Sequence, residues 1–204
     1  MRKNLKNYHH GDLRNSLLKA ALEILEREGA ENLSLRAAAK KAAVSSAAPY
    51  RHFPSKEALL VALAEDGFAG MEKGMQAAAR KNPNNPQAQL MDLGKTYLRL
   101  AAERPHFFRM MFSVELKPMP GDEGAAMACV RVYDSLINLF RQGQKLGQFK
   151  ASPAEGQGLL YWSALHGYAM LLIDGKLDEM EMKMEQHLAQ LAELLKIMFQ
   201  GLEK

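Results

Sequence analysis

Apolar residues in this 204-residue chain recur at intervals of three and four almost from end to end. The last such stripe is the most regular: Met184, Leu188, Leu191, Leu195, Met198 and Leu202 lie four, three, four, three and four residues apart. At 3.6 residues per turn this spacing gathers the apolar groups on one helix face, whereas a strand would scatter them to both sides. No run of alternating β-branched residues is long enough for a strand. The chain is expected to be all-α.

Start and stop signals divide the pattern into nine helices. The first covers 12–28, stopped by Gly29, and the second covers 35–42 behind the N-cap Ser34. A third over 46–52 takes Ser46 as its cap, which places Pro49 in the first turn, where a missing N–H costs least. Ser55 caps a long helix over 56–80, and Asn85 and Pro86 restart the chain after the NPNNP break at 82–86. Short and long helices follow at 105–112 and 122–146. Ser152, Pro153 and Glu155 read as a capping box opening a helix to 173, and the last helix is expected from Asp178 to about 200. Gly67, Gly70 and Gly74 cost the fourth helix roughly 1 kcal/mol each relative to alanine, so either another element packs closely there or the helix is a soft connection.

The charge is uneven. Residues 1–56 hold 11 Lys+Arg and 5 Asp+Glu, a net of +6, while residues 57–204 hold 16 and 18, a net of −2, together the +4 of the whole chain. A basic end suits a polyanion partner through phosphate attraction, although a solvated helix face with extra lysines has the same arithmetic. One cysteine, Cys129, excludes an intramolecular disulfide framework and points to a reducing compartment. The longest uncharged stretch, 156–173, contains Gln157, Ser163, His166 and three glycines, and reads better as a buried helix than as a membrane span. With no apolar leader at the N-terminus, a soluble cytoplasmic protein is expected.

The segment SLRAAAKKAAVSSAAPYRHF at 34–53 concentrates the chemistry. Two short helices joined by a brief turn behind a packing helix make a helix-turn-helix candidate, whose second helix would enter a major groove. Ser45 and Ser46 suit phosphates or base edges, and Ala47 and Ala48 permit close approach and contact with thymine methyls. Tyr50 and Arg51 would read or touch the groove; Arg36, Tyr50, His52 and Lys56 would hold phosphates. Arg2, Lys3 and Lys6 could form an arm into the minor groove. Simple packing of two short helices is the competing reading.

AAAKKAAVSSAAPYRHFPSKEALL at 37–60 resembles the helix-turn-helix of TetR-type transcriptional regulators, through Ala42–Ser45, Tyr50–Phe53 and Ser55–Glu57. Ala43 stands where the turn commonly has glycine, Ala48 where threonine is frequent and Pro49 where leucine is frequent. YHHGDLR at 8–14, ERPHFFRMMF at 103–112 and Trp162-x-x-x-His166-Gly167 resemble a subgroup whose effector domain is named for its tryptophan, histidine and glycine. The resemblance implies a DNA-binding domain over 1–68 and an effector-binding and dimerisation domain over 69–204. It implies a homodimer made by the last two helices, a pocket within helices five to eight, and release from a palindromic operator by a small apolar or aromatic effector. Pocket candidates are Phe107, Met110, Met111, Tyr133, Trp162, His166 and Met170. Interface candidates are Ser163, Gly167, Met184, Leu188, Leu191, Leu195 and Met198.

Other chemistry is poorly supported. His9 and His10 lack the further clustered ligands of a metal site. Ser163 and His166 share a helix, but no carboxylate is placed to orient the histidine as a hydrolase would need. Neither cofactor nor metal is expected. A helical hydrolase or metal-dependent enzyme and a non-specific architectural DNA binder are the alternatives.

Overall fold

The computed structural model describes residues 10–113, 124–177 and 182–202. Eight α-helices and one 3-10 turn account for the regular structure among them: α1 His10–Glu28, α2 Leu35–Lys41, the 3-10 turn Pro49–Arg51, α3 Lys56–Lys81, α4 Pro86–Glu103, α5 Pro105–Ser113, α6 Gly124–Lys145, α7 Ala154–Ile173 and α8 Met184–Leu202. The all-α expectation holds. The count changes, because the segment expected as a helix over 46–52 is a single 3-10 turn. Proline has no N–H to return to the Ser45 carbonyl; the Ala48 N–H bonds that carbonyl at 3.0 Å instead, a tighter i to i+3 turn.

The chain divides into two compact units. The first takes its described residues from 1–66 and 106–125, the second from 67–105 and 126–204. In the first, α1 packs on α2 through Leu17, Ala21, Ile24, Leu25 and Ala38, all buried. Gly29 ends α1 at φ +81°, a left-handed stop where glycine carries no Cβ penalty. Phe53 is buried, with the Arg14 guanidinium 5.6 Å over its ring.

In the second unit, α4 packs on α7 and α8. Phe149 stacks on Phe199 at 5.7 Å and meets Phe140 at 5.3 Å, and Tyr161 closes on Phe140 at 6.0 Å. At Gly94 a Cβ would come within 2.9 Å of Leu195 Cδ1 and 3.3 Å of the Tyr161 oxygen, so here a glycine is what lets α4 approach its neighbours. Gly70, by contrast, faces open space, and a Cβ at Gly74 would meet only the Thr96 methyl at 3.7 Å. Tight packing does not explain Gly70 and Gly74, whereas Gly67 is buried; all three lie just past residue 66, where α3 passes from one unit to the other.

One boundary expectation is corrected. Ser152 does not cap α7: Pro153 precedes the helix without a side-chain cap, the Ser152 carbonyl accepts from Gln144 Nε2 at 2.7 Å, and Glu155 turns away to Arg141 at 2.5 Å. The expected start at Asp178 lies outside the described residues, as does the arm of Arg2, Lys3 and Lys6. Within them α8 begins at Met184, where Gln186 Oε1 accepts the Lys183 N–H at 2.8 Å. No described helix is long and apolar enough to cross a membrane.

Candidate nucleic-acid interface and effector site

The head's exposed surface is built by its turns. Ser34 Oγ accepts the Ala37 N–H at 3.1 Å to start α2, and Ser55 Oγ accepts the Ala58 N–H at 3.2 Å to start α3. After α2 the chain closes a Schellman motif: the Val44 N–H bonds the Ala39 carbonyl at 3.0 Å and the Ala43 N–H bonds the Lys40 carbonyl at 3.2 Å. Ala43 sits at the left-handed position of that motif with φ +55°. An L side chain there brings its Cβ against the following carbonyl, at a cost of roughly 1–2 kcal/mol. The turn keeps the geometry that glycine usually supplies and carries the strain.

Beyond the turn, Ser45, Ser46, Ala47, Tyr50 and Arg51 are exposed, as is Arg36 on α2, while Ala48 is half-buried. Tyr50 leaves 53% of its surface free while its neighbour Pro49 is buried. The proline anchors the turn inward and the tyrosine projects from it. Lys56 Nζ donates to the Ala30 carbonyl at 2.6 Å, fastening the start of α3 to the α1–α2 turn. An ammonium has three donors, so this bond leaves others for a phosphate. His52 turns Nε2 inward, where it has no hydrogen-bond partner among the described residues, so any phosphate contact rests on its other ring nitrogen.

In the second unit the expected Trp162 and His166 lie together, with ring centroids 6.2 Å apart, and Tyr133 stands 5.9 Å from Trp162. A third member was not anticipated. Tyr97 on α4 places its hydroxyl 2.7 Å from His166 Nδ1, and the Trp162 indole N–H bonds the same oxygen. Indole can only donate, so the Tyr97 oxygen accepts from Trp162 and keeps a second lone pair and its own proton for the contact with His166 Nδ1. Burial lowers the His166 pKa and raises that of Tyr97 above its ordinary range, favouring the neutral form of each. Nothing in the local sequence of α4 marks Tyr97 except its place on the stripe with Leu90 and Leu93.

The other pocket candidates divide by unit. Met170 is half-buried on α7, whereas Phe107, Met110 and Met111 are buried on α5, whose residues 106–113 belong with the head. Among the interface candidates, Leu191 and Leu195 are corrected: at 0% and 1% exposure they lie in the chain's own core, Leu195 against Gly94, and cannot reach a second copy. Ser163 and Gly167 are exposed on α7, with Leu159, Leu160 and Leu171 along the same 120° of helix surface, and Leu194 and Ile197 are exposed on α8. Met184, Leu188 and Met198 are half-buried.

The enzyme alternative gains no geometry. His166 Nδ1 is engaged by Tyr97, Ser163 faces outward, and burial pushes the Cys129 thiol up, away from the reactive thiolate. Among the described residues no three His, Cys, Asp or Glu side chains are grouped to hold a metal ion.

A strained turn presenting serines and a tyrosine, in a chain that also carries a second, helical unit, defines a DNA-binding regulator of the helix-turn-helix class. Residues 17–63 match the bacterial regulatory proteins of the tetR family and residues 90–195 match the tetracyclin repressor-like C-terminal domain. The chain belongs to the tetR family, whose members are DNA-binding transcription factors and not enzymes. It is 26% identical over 168 residues to the nucleoid occlusion factor SlmA of Marinobacter nauticus, covering 81% of this chain and 82% of that one. A structure from Rhodococcus sp. RHA1, described as a protein of unknown function, superposes with a TM-score of 0.81 at 29% identity, covering 98% of this chain and all of that one. The fatty acid degradation regulator FadR of Bacillus halodurans shares the fold at a TM-score of 0.70 and 16% identity, over 92% and 96% of the two chains.

Proposed function

We propose that this chain is a ligand-responsive repressor, cytoplasmic, that binds a palindromic operator as a homodimer and is released by a small apolar or aromatic effector. The observation that carries the reading is the exposed Ser45–Arg51 turn held on buried Pro49 and Phe53 at the basic end of the chain. Ser46, Ala47, Ala48, Tyr50 and Arg51 meet the major groove; Arg36, Ser45, His52 and the remaining donors of Lys56 position phosphates. The exposed apolar face of α7, with Leu194 and Ile197 of α8, supports pairing with a second copy. Two recognition turns in a dimer must then stand about 34–36 Å apart, or a multiple, so a small change in their separation loses affinity.

The effector site is assigned to the surroundings of Tyr97, Tyr133, Trp162, His166 and Met170. Trp162, His166 and Gly167 support membership in the subgroup named for that trio. Footprinting on the DNA flanking the gene tests the whole: two protected half-sites about one helical turn apart are expected, and protection without sequence preference establishes an architectural binder instead. Arg36→Ala is expected to weaken all sequences alike and to reduce the salt slope by about 0.9.

A further inference from the structure

The outer side of α3 and α4 carries a feature that neither DNA nor the Tyr97–Trp162–His166 cluster uses. A groove of about 530 Å³ runs between them, lined by Gly74, Ala77, Ala78 and Lys81 of α3 and by Asp92, Lys95, Thr96 and Arg99 of α4. Its volume is that of a small-molecule site, for which about 300–1,000 Å³ is usual. All eight residues belong to the second unit.

The lining has two chemistries. Gly74, Ala77 and Ala78 present small apolar groups, a shallow wall on which a flat body can lie. The α4 side is cationic. Asp92 is committed: it accepts from Lys81 Nζ at 2.7 Å and from Asn82 Nδ2 at 3.0 Å, which closes one end of the groove. Lys81 is thereby neutralised. Lys95 has no ion pair within 4 Å and no hydrogen bond among the described residues, although the Asp92 carboxylate one turn away attracts it, and Arg99, one helical turn further along the same face, has neither. Two cations without a bonded counter-charge thus face a small-residue wall. Helix backbone groups are satisfied within the helices, so the groove offers no edge for an extended peptide.

We propose that this groove is a second ligand site, which takes a small organic anion with a flat apolar body and one carboxylate or phosphate. The anionic group sits between Lys95 and Arg99, whose guanidinium fork suits bidentate pairing, and the body lies over Gly74, Ala77 and Ala78. The site does not depend on the effector reading of the Tyr97 cluster.

Amide-detected NMR titration of the full chain with sodium 1-naphthoate, and with 1-naphthamide as a neutral counterpart of the same shape, tests it. Saturable shifts confined to 74–81 and 92–99 are expected, with the amide binding at least tenfold more weakly. The double variant Lys95→Gln/Arg99→Gln should lose at least tenfold in naphthoate affinity at an unchanged melting temperature, and Gly74→Leu should block binding by filling the wall. Equal binding of naphthamide, shifts centred elsewhere, or no saturation up to about 5 mM naphthoate overturns the proposal. The comparison of the two probes on the unaltered protein decides the matter even where a variant fails to fold.

Discussion

Tyr97 joins two residues on another helix: its hydroxyl lies 2.7 Å from His166 Nδ1 and receives the Trp162 indole N–H. Tyr97→Phe keeps the ring and removes the oxygen, which strands the Trp162 indole N–H and His166 Nδ1 together. A loss of about 1–3 kcal/mol in urea unfolding is expected. Following Tyr97→Phe with His166→Phe should recover part of that loss, because apolar partners leave fewer groups unpaired. A single variant as stable as the parent would show that the three groups contribute nothing jointly.

The same histidine sets a pH dependence. Burial lowers the His166 pKa below the ordinary 6.5, so between its folded value and 6.5 the unfolded chain binds more protons than the folded one. Its contribution to stability is complete above 6.5 and falls away as pH drops through that window. Unfolding midpoints measured from pH 7.5 downward should decline, and His166→Gln should flatten the part of the decline nearest 6.5.

Ala43 holds a left-handed conformation at φ +55°. Ala43→Gly relieves the Cβ clash, and although glycine gives the unfolded chain more freedom, a net gain of about 0.5–1 kcal/mol is expected. The turn geometry is already that of a glycine, so operator affinity should change little. A lower melting temperature would show the strain to be absent.

On α8 the residues proposed for the dimer separate from those of the core. Ile197, 66% exposed, can become Glu without cost to the chain's own fold, and Ile197→Glu combined with Leu159→Glu should yield folded monomers in sedimentation. Leu195→Glu buries a charge against Gly94 and should unfold the body by several kcal/mol. A dimer that survives the first pair of changes moves the interface elsewhere.

Much of this was legible in the residues, and the exceptions have physical causes. Caps such as Ser34 and Asn85, and the stop at Gly29, act within a few positions of themselves, so local chemistry announced them. Pro49 was visible too, but its effect was misjudged: one missing N–H shortened an expected helix to a turn. Ser152 failed as a cap because α7 starts at Ala154, which puts Pro153 at the cap position and Ser152 one residue outside it, while Glu155 pairs with Arg141, fourteen residues away. The α8 stripe correctly named a buried face, yet a stripe does not say whether its cover is the same chain or a second copy. For Leu191 and Leu195 it is the same chain. Tyr97 escaped notice because its meaning depends on a partner sixty-nine residues distant.

The bonding from Trp162 through Tyr97 to His166 has a polarity. Because indole cannot accept, its proton is directed at the Tyr97 oxygen, and burial holds the imidazole beyond it in its neutral form. Three neutral rings side by side offer no charge to pair with an ion, so the cluster would favour uncharged guests over charged ones.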